Sequence, residues 1–256
     1  MSRIKDLFNK KKNRILSMYC TAGYPKLEST REVIRALEKN GADLIELGMP
    51  YSDPLADGPV IQASSVRALQ NGMSISKLFE QLEGLRKETS IPIILMGYLN
   101  PLLQYGFEKF CARAGEVGID ALIIPDIPIY EYEKEYREII RKHGLDFIFL
   151  VTPETPEERI RKLDSLSSGF LYAVSSSSIT GSDKDFSAVE QYLVRLKKMG
   201  LKNPLLVGFG IRDKASFESA CAHASGAIIG TAYIKAISNG EKIEEGTRAF
   251  LEKILA

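Results

Sequence analysis

Two carboxylates near residue 50 have the positions that proton-transfer chemistry requires. Glu46 lies in the apolar run Asp43–Met49, and strand alternation places Leu44, Glu46 and Gly48 on one face. A carboxylate that faces a core is costly to bury, and the loss of hydration raises its pKa toward neutrality. We therefore expect Glu46 to exchange protons. The alternative is a structural carboxylate that is bonded to a neighbouring amide or cation.

The loop after this run supplies the second carboxylate. Residues 50–59 include three prolines, a glycine and two aspartates, a composition that is typical of a stiff, shaped loop. We expect Asp57 to face Glu46 across a pocket, because two carboxylates in different environments can divide proton donation and acceptance without a metal. Turn formation or helix capping is the alternative role for Asp53 and Asp57.

Glycines near the C-terminus indicate an anion site. Gly208-Phe209-Gly210 ends one apolar run, and Gly230-Thr231 ends the next, immediately before the helix-like segment Ala232–Ser238. Glycines let the backbone approach an oxyanion, and free N–H groups with the helix dipole bind it. We predict a phosphate site at these loops, and Thr180-Gly181 could complete it from a neighbouring loop.

The elements that must position these residues alternate regularly along the chain. Charged segments of helical period, such as Leu27–Lys39, Ile129–His143 and Phe186–Met199, separate short apolar runs. The eight runs are Ile15–Ala22, Asp43–Met49, Ile91–Tyr98, Ala121–Asp126, Phe147–Thr152, Phe170–Ser175, Pro204–Phe209 and Gly226–Gly230.

This rhythm predicts an α/β fold, a single (β/α)8 TIM barrel over residues 1–256 with an extra N-terminal helix and a short helix after strand 8. In such a barrel the active site lies at the carboxyl ends of the strands, where the carboxylates and glycines described above are found. An open doubly wound sheet is the alternative, but the sequence lacks a GxGxxG turn after its first strand.

Composition argues against several other classes of protein. A net charge of +1 offers no basic surface for nucleic acid, and no apolar stretch reaches the roughly 20 residues that span a bilayer. The three cysteines are far apart and the two histidines lack metal-ligand spacing, so we expect neither disulfides nor a metal site. We expect a cytoplasmic protein that binds neither nucleic acid nor a membrane.

The segment Leu44–Gly58 resembles the signature of the tryptophan synthase α subunit. The resemblance covers essentially the whole chain, because it continues through Gln62, Tyr98–Pro101, Pro125–Pro128, Thr180-Gly181, Gly208–Ile211 and Gly230–Ala232. It implies a lyase that cleaves indole-3-glycerol phosphate to indole and glyceraldehyde 3-phosphate by retro-aldol chemistry, without a cofactor in this subunit. It also implies an α2β2 complex with a PLP-dependent β subunit, which receives indole through a channel.

The resemblance further implies roles for the carboxylates and for the residues around the organic part of the substrate. Glu46 would protonate the indole ring at C3 and accept the glycerol hydroxyl proton, and Asp57 would engage the indole N–H. Tyr172 matches a residue near the glycerol and Glu46. Tyr19 and Met96 match positions that line the indole pocket.

The remaining implied roles concern the phosphate, the partner and a loop. The family's phosphate binders are matched by Gly181, Gly210, Gly230 and Thr231. Thr180 matches a residue that joins Asp57 when the loop closes. The loop that faces the β subunit contains Pro50 and Asp53.

One departure from the family pattern bears on loop closure. Ser178 stands where the family usually has glycine, and Ser176 also differs; a serine with positive φ would cost about 1 kcal/mol. A catalytically weak subunit that acts mainly as an allosteric partner is therefore the second hypothesis. A sugar-phosphate isomerase or epimerase is the third, and the proline-bounded loop and the lack of metal-ligand histidines argue against it.

Overall fold

The computed structural model describes residues 2–174, 186–208, 210–239 and 242–256, which contain nine short parallel strands. The strands are β1 Ile15–Thr21, β2 Leu44–Gly48, β3 Ile93–Met96, β4 Ala121–Ile123, β5 Asp146–Phe147, β6 Leu150–Val151, β7 Leu171–Val174, β8 Leu205–Gly208 and β9 Gly226–Ile229. Their order in the sheet is β5-β4-β3-β2-β1-β9-β8-β7-β6. All eight predicted runs therefore form strands, and the fifth forms two.

The split of the fifth run closes the sheet into a barrel. β5 pairs with β4, whereas β6 pairs with β7, at the other end of the sheet order. Between them, the amide of Ile148 still donates to the carbonyl of Leu122 at 3.0 Å, and Phe149 accepts from the amide of Tyr172 at 3.0 Å. The run changes partners within a few residues, so the predicted (β/α)8 barrel is confirmed.

The described helices include one that precedes β1 and others that follow the strands on the outside of the barrel. They are α1 Arg3–Lys10, α2 Ser29–Lys39, α3 Pro59–Gln70, α4 Ile75–Leu82, α5 Leu99–Tyr105, α6 Phe107–Glu116, α7 Ile129–Glu131, α8 Arg137–Lys142, α9 Glu157–Leu166, α10 Phe186–Lys198, α11 Lys214–His223, α12 Thr231–Ala236 and α13 Ile243–Leu255. A π-helical turn, Tyr132–Tyr136, joins α7 to α8. None of the described helices has both the length and the apolar character that a membrane crossing needs.

The core has two layers, as the alternation along β2 predicts. Leu44 packs in the barrel interior, whereas Ile45 and Leu47 belong to the larger cluster that includes residues of the surrounding helices. Ile4 and Phe8 of the predicted N-terminal helix also belong to the interior cluster. The interior is therefore packed with apolar side chains. Glu46 is an ionisable residue, and it is fully buried.

An ion cluster around the buried carboxylate of Asp120 joins the amino ends of β3 and β4. Asp120 accepts hydrogen bonds from Arg3 at 2.9 Å, from Arg86 at 2.8 Å and from the amide of Ile93 at 2.8 Å. Bonds of this kind at the amino end of a barrel contribute to stability, and the carboxyl end carries the chemistry.

Candidate active site

Glu46 lies at the centre of β2 and is fully buried, with 0% of its surface exposed. The hydroxyl of Ser17, on β1, donates to Oε1 of Glu46 at 2.8 Å, and Oε2 has no hydrogen-bond partner among the described residues. Burial raises the pKa of Glu46 to about 8, and the Ser17 hydrogen bond acts in the opposite direction. At neutral pH Glu46 can therefore release or accept a proton with little cost.

Asp57 is held in the loop between β2 and α3 by a phenol. The hydroxyl of Tyr98 donates to Oδ2 of Asp57 at 3.0 Å and accepts from the amide of Ala56 at 3.0 Å. Burial raises the pKa of Asp57, and the Tyr98 hydrogen bond lowers it. α3 begins after Gly58 without a side-chain cap, so the capping alternative is wrong for Asp57.

Two further tyrosines lie in the barrel mouth because glycines on the next strand leave room for them. Tyr19 on β1 is the register partner of Glu46, and a Cβ atom on Gly48 would overlap the Tyr19 hydroxyl. In the same way a Cβ atom on Gly208 would overlap the hydroxyl of Tyr172, on β7. Each glycine is thus required by the close approach of a ring.

The electrostatic environment connects these tyrosines to both carboxylates. Burial raises the pKa of Tyr172, and negative charge on Glu46 and on Asp57 raises it further. Burial also raises the pKa of Tyr19, with Asp57 as the next cause. Both phenols therefore stay protonated and can donate hydrogen bonds. Met96 completes this wall, since it pairs with Gly48 across β2 and β3 and contacts the interior cluster.

Of the residues that are predicted to bind an anion, Gly230 lies beside this group. Gly210 has a φ of 48°, and Gly230 directly precedes α12, whose first residue, Thr231, is exposed. The first N–H groups of a helix have no intrahelical partner and attract anions. A Cβ atom on Gly230 would lie 3.4 Å from Cβ of Tyr19, so the start of α12 adjoins the tyrosine wall.

The remaining predicted positions belong to the segments that follow β2 and β7 in the sequence. Pro50 is half-buried and Asp53 is exposed in the loop after β2, where Ser52 donates a hydrogen bond to Asp53. Thr180, Gly181 and the Ser176–Ser178 stretch lie outside the described residues.

Sequence reasoning missed two residues that hold the carboxylates, Ser17 and Tyr98. Ser17 had a usable signal, because it is a polar residue two positions before Tyr19 in an apolar strand. Tyr98 had a weaker one, since it belongs to a stretch that resembles the family.

The sequence profile described as "Tryptophan synthase alpha chain" matches residues 5–255. The chain belongs to the tryptophan synthase alpha chain family. A relative of that name from Parabacteroides distasonis is 51% identical over 255 residues, which cover 99% of each chain. One from Flavobacterium johnsoniae is 53% identical over 248 residues, 96% of this chain and 98% of its own.

Solved structures agree with this family membership. Tryptophan synthase subunit alpha from Legionella pneumophila matches with a TM-score of 0.91 and 35% identity, covering 99% of this chain and 97% of its own. A tryptophan synthase structure from M. tuberculosis, in an aminoacrylate-bound form, contains a chain that matches with a TM-score of 0.86 and 30% identity, covering 99% of this chain and 98% of that one.

Members of this family are lyases of tryptophan biosynthesis, which cleave indole-3-glycerol phosphate to indole and glyceraldehyde 3-phosphate. The alpha chain carries no cofactor; PLP belongs to the β subunit, with which it forms an α2β2 complex. The resemblance drawn from the sequence is confirmed, and the sugar-phosphate isomerase alternative is wrong.

Proposed function

We propose that this chain cleaves indole-3-glycerol phosphate with Glu46 as the acid and base and Asp57 as its partner at the indole nitrogen. The observation that carries the proposal is the burial of Glu46, whose pKa of about 8 and free Oε2 suit a group that must both give and take a proton.

The reaction balances with these two carboxylates alone. Protonated Glu46 gives its proton to C3 of the indole ring, and Asp57 accepts a hydrogen bond from the indole N–H as positive charge develops there. The Glu46 carboxylate then takes the proton of the hydroxyl on the glycerol carbon that is bonded to C3. The bond from C3 to that carbon breaks, its electron pair restores the aromatic ring, the carbon becomes the aldehyde of glyceraldehyde 3-phosphate, and Glu46 is protonated again.

The arrangement of the walls supports this orientation of the substrate. We assign the phosphate to Gly210, Gly230 and Thr231, at the start of α12. Because Gly230 adjoins Tyr19, a phosphate bound there leaves the organic part of the substrate among the tyrosines and carboxylates. Tyr19 and Met96 then line the indole pocket.

The remaining assignments follow the same orientation. Tyr172 lies near the glycerol, because its hydroxyl is under the influence of both carboxylates. We assign Gly181 to the phosphate site and Thr180 to the contact with Asp57 on loop closure, and the family pattern alone supports these two assignments.

The loop that contains Pro50 and Asp53 is the surface that we assign to the β subunit. Asp53 is exposed, and its neighbour Leu55 is 93% exposed. We also propose that residues 1–256 form one domain and that the protein is cytoplasmic.

The function is tested by release of indole from indole-3-glycerol phosphate, measured with and without a β subunit. We expect turnover in both assays and a higher rate with the partner. The departure at Ser178 motivates the second candidate, a weak enzyme that serves as allosteric partner. That candidate requires negligible cleavage together with strong stimulation of the serine chemistry of the β subunit. Absence of both effects would reject both functions.

A further inference from the structure

Ser17 and Glu46 form a hydrogen-bonded polar pair inside the barrel. Both residues are 0% exposed, and Ser17 lies opposite Leu44 in the register of β1 and β2. Among the described residues, the Ser17 side chain has Oε1 of Glu46 as its hydrogen-bond partner, at 2.8 Å. A fully buried hydroxyl therefore has the proposed acid and base as its hydrogen-bond partner.

The two oxygens of Glu46 differ because of this bond. Oε1 accepts the Ser17 proton, whereas Oε2 is buried without a described partner. A carboxyl group that accepts a hydrogen bond on one oxygen is most stable with its own proton on the other. The serine hydroxyl can donate to Oε1 both when Glu46 is ionised and when Glu46 is protonated on Oε2, so one contact serves both states.

We propose that Ser17 is a positioning residue, which fixes the orientation of Glu46 and directs the exchanging proton to Oε2. This inference rests on the proposed role of Glu46 in catalysis. A cation at position 17 would hold Glu46 ionised and would remove the acid step. An apolar side chain would leave both oxygens of a buried carboxyl group without a partner, which is costly and leaves its orientation free.

The inference is tested without reference to activity by ¹³C NMR titration of the Glu46 carboxyl carbon, which Glu46→Gln assigns by loss of its signal. The wild type is expected to titrate with a pKa of about 8. Ser17→Ala should raise this pKa by about one unit, because the lost hydrogen bond, although it can form in both states, is stronger to the ionised carboxylate. Ser17→Thr keeps the hydroxyl and should titrate close to the wild type.

Ser167→Ala is the matched control. Ser167 is also buried and hydrogen-bonded, with the amide of Phe149 at 3.1 Å and the carbonyl of Phe170 at 2.8 Å, but it does not contact Glu46. Its loss should leave the titration of Glu46 unchanged. An unchanged titration in Ser17→Ala, or an equal shift in Ser167→Ala, would overturn the inference.

Kinetics separates orientation from binding. Ser17→Ala should lower kcat about tenfold with little change in KM, because the Ser17 hydroxyl is fully buried and is bonded to Glu46. An equal loss in Ser17→Thr, or a change confined to KM, would contradict a positioning role. If the titrations behave as expected but the wild type does not cleave the substrate, the proposed function fails and the control of Glu46 by Ser17 stands.

Discussion

The burial of Glu46 should make the stability of the protein depend on pH, and Glu46→Gln should remove that dependence. The folded pKa is about 8, against 4.5 for an exposed glutamate, a rise of about 3.5 units. Each unit corresponds to about 1.4 kcal/mol, so burial of the ionised form costs about 5 kcal/mol above pH 8. Between pH 4.5 and 8 the folded protein retains a proton that the unfolded chain has lost, and stability therefore falls as pH rises.

Glutamine has nearly the same shape, keeps an acceptor for Ser17 and cannot ionise. The free energies of unfolding of the wild type and Glu46→Gln should be similar at pH 4 and should diverge as pH rises, until the variant is more stable by up to about 5 kcal/mol at pH 9. Urea denaturation at pH 4, 6, 7.5 and 9 measures this difference. The exposed Glu252 of α13 supplies the control, since Glu252→Gln should track the wild type. A difference between wild type and Glu46→Gln that does not change with pH would refute the desolvation argument.

Two further predictions concern the residues around the carboxylates. Tyr98→Phe removes the hydrogen-bond donor to Asp57, so the pKa of Asp57 should rise and kcat should fall about tenfold. Steady-state kinetics as a function of pH measures both effects. An unchanged rate would show that the hydrogen bond from Tyr98 to Asp57 does not contribute to catalysis. Gly48→Ala should destabilise the fold by roughly 1–3 kcal/mol because the added methyl overlaps Tyr19, and the double variant with Tyr19→Phe should recover part of the loss in urea denaturation. A purely additive pair would show that the overlap is not the cause.

The side-chain period of a strand explains why the orientation of Glu46 was predictable. Leu44, Glu46 and Gly48 must share a face, and a run this apolar is buried on both faces, so the carboxylate had to lie in one of two cores. The barrel decides between the two. Ile45 and Leu47 belong to the larger cluster around the helices, so Glu46 faces the barrel interior with Leu44.

Periodicity could not predict features that depend on contacts between distant residues. The break between β5 and β6 arises because the segment pairs with β4 first and with β7 afterwards, a change that its own sequence does not record. The bond from Tyr98 to Asp57 joins residues 41 positions apart. The local sequence around Asp57 fits a turn or a helix cap, and it does not show that the Asp57 carboxylate accepts a hydrogen bond from Tyr98.

The central claim, that Glu46 transfers the protons of the cleavage, is tested most directly by the rate of indole release from indole-3-glycerol phosphate by Glu46→Gln. The account predicts a loss of about 10²–10⁴-fold relative to the wild type and to Glu252→Gln, with the circular dichroism spectrum of the fold retained. A folded Glu46→Gln variant that keeps most of the wild-type rate would contradict it.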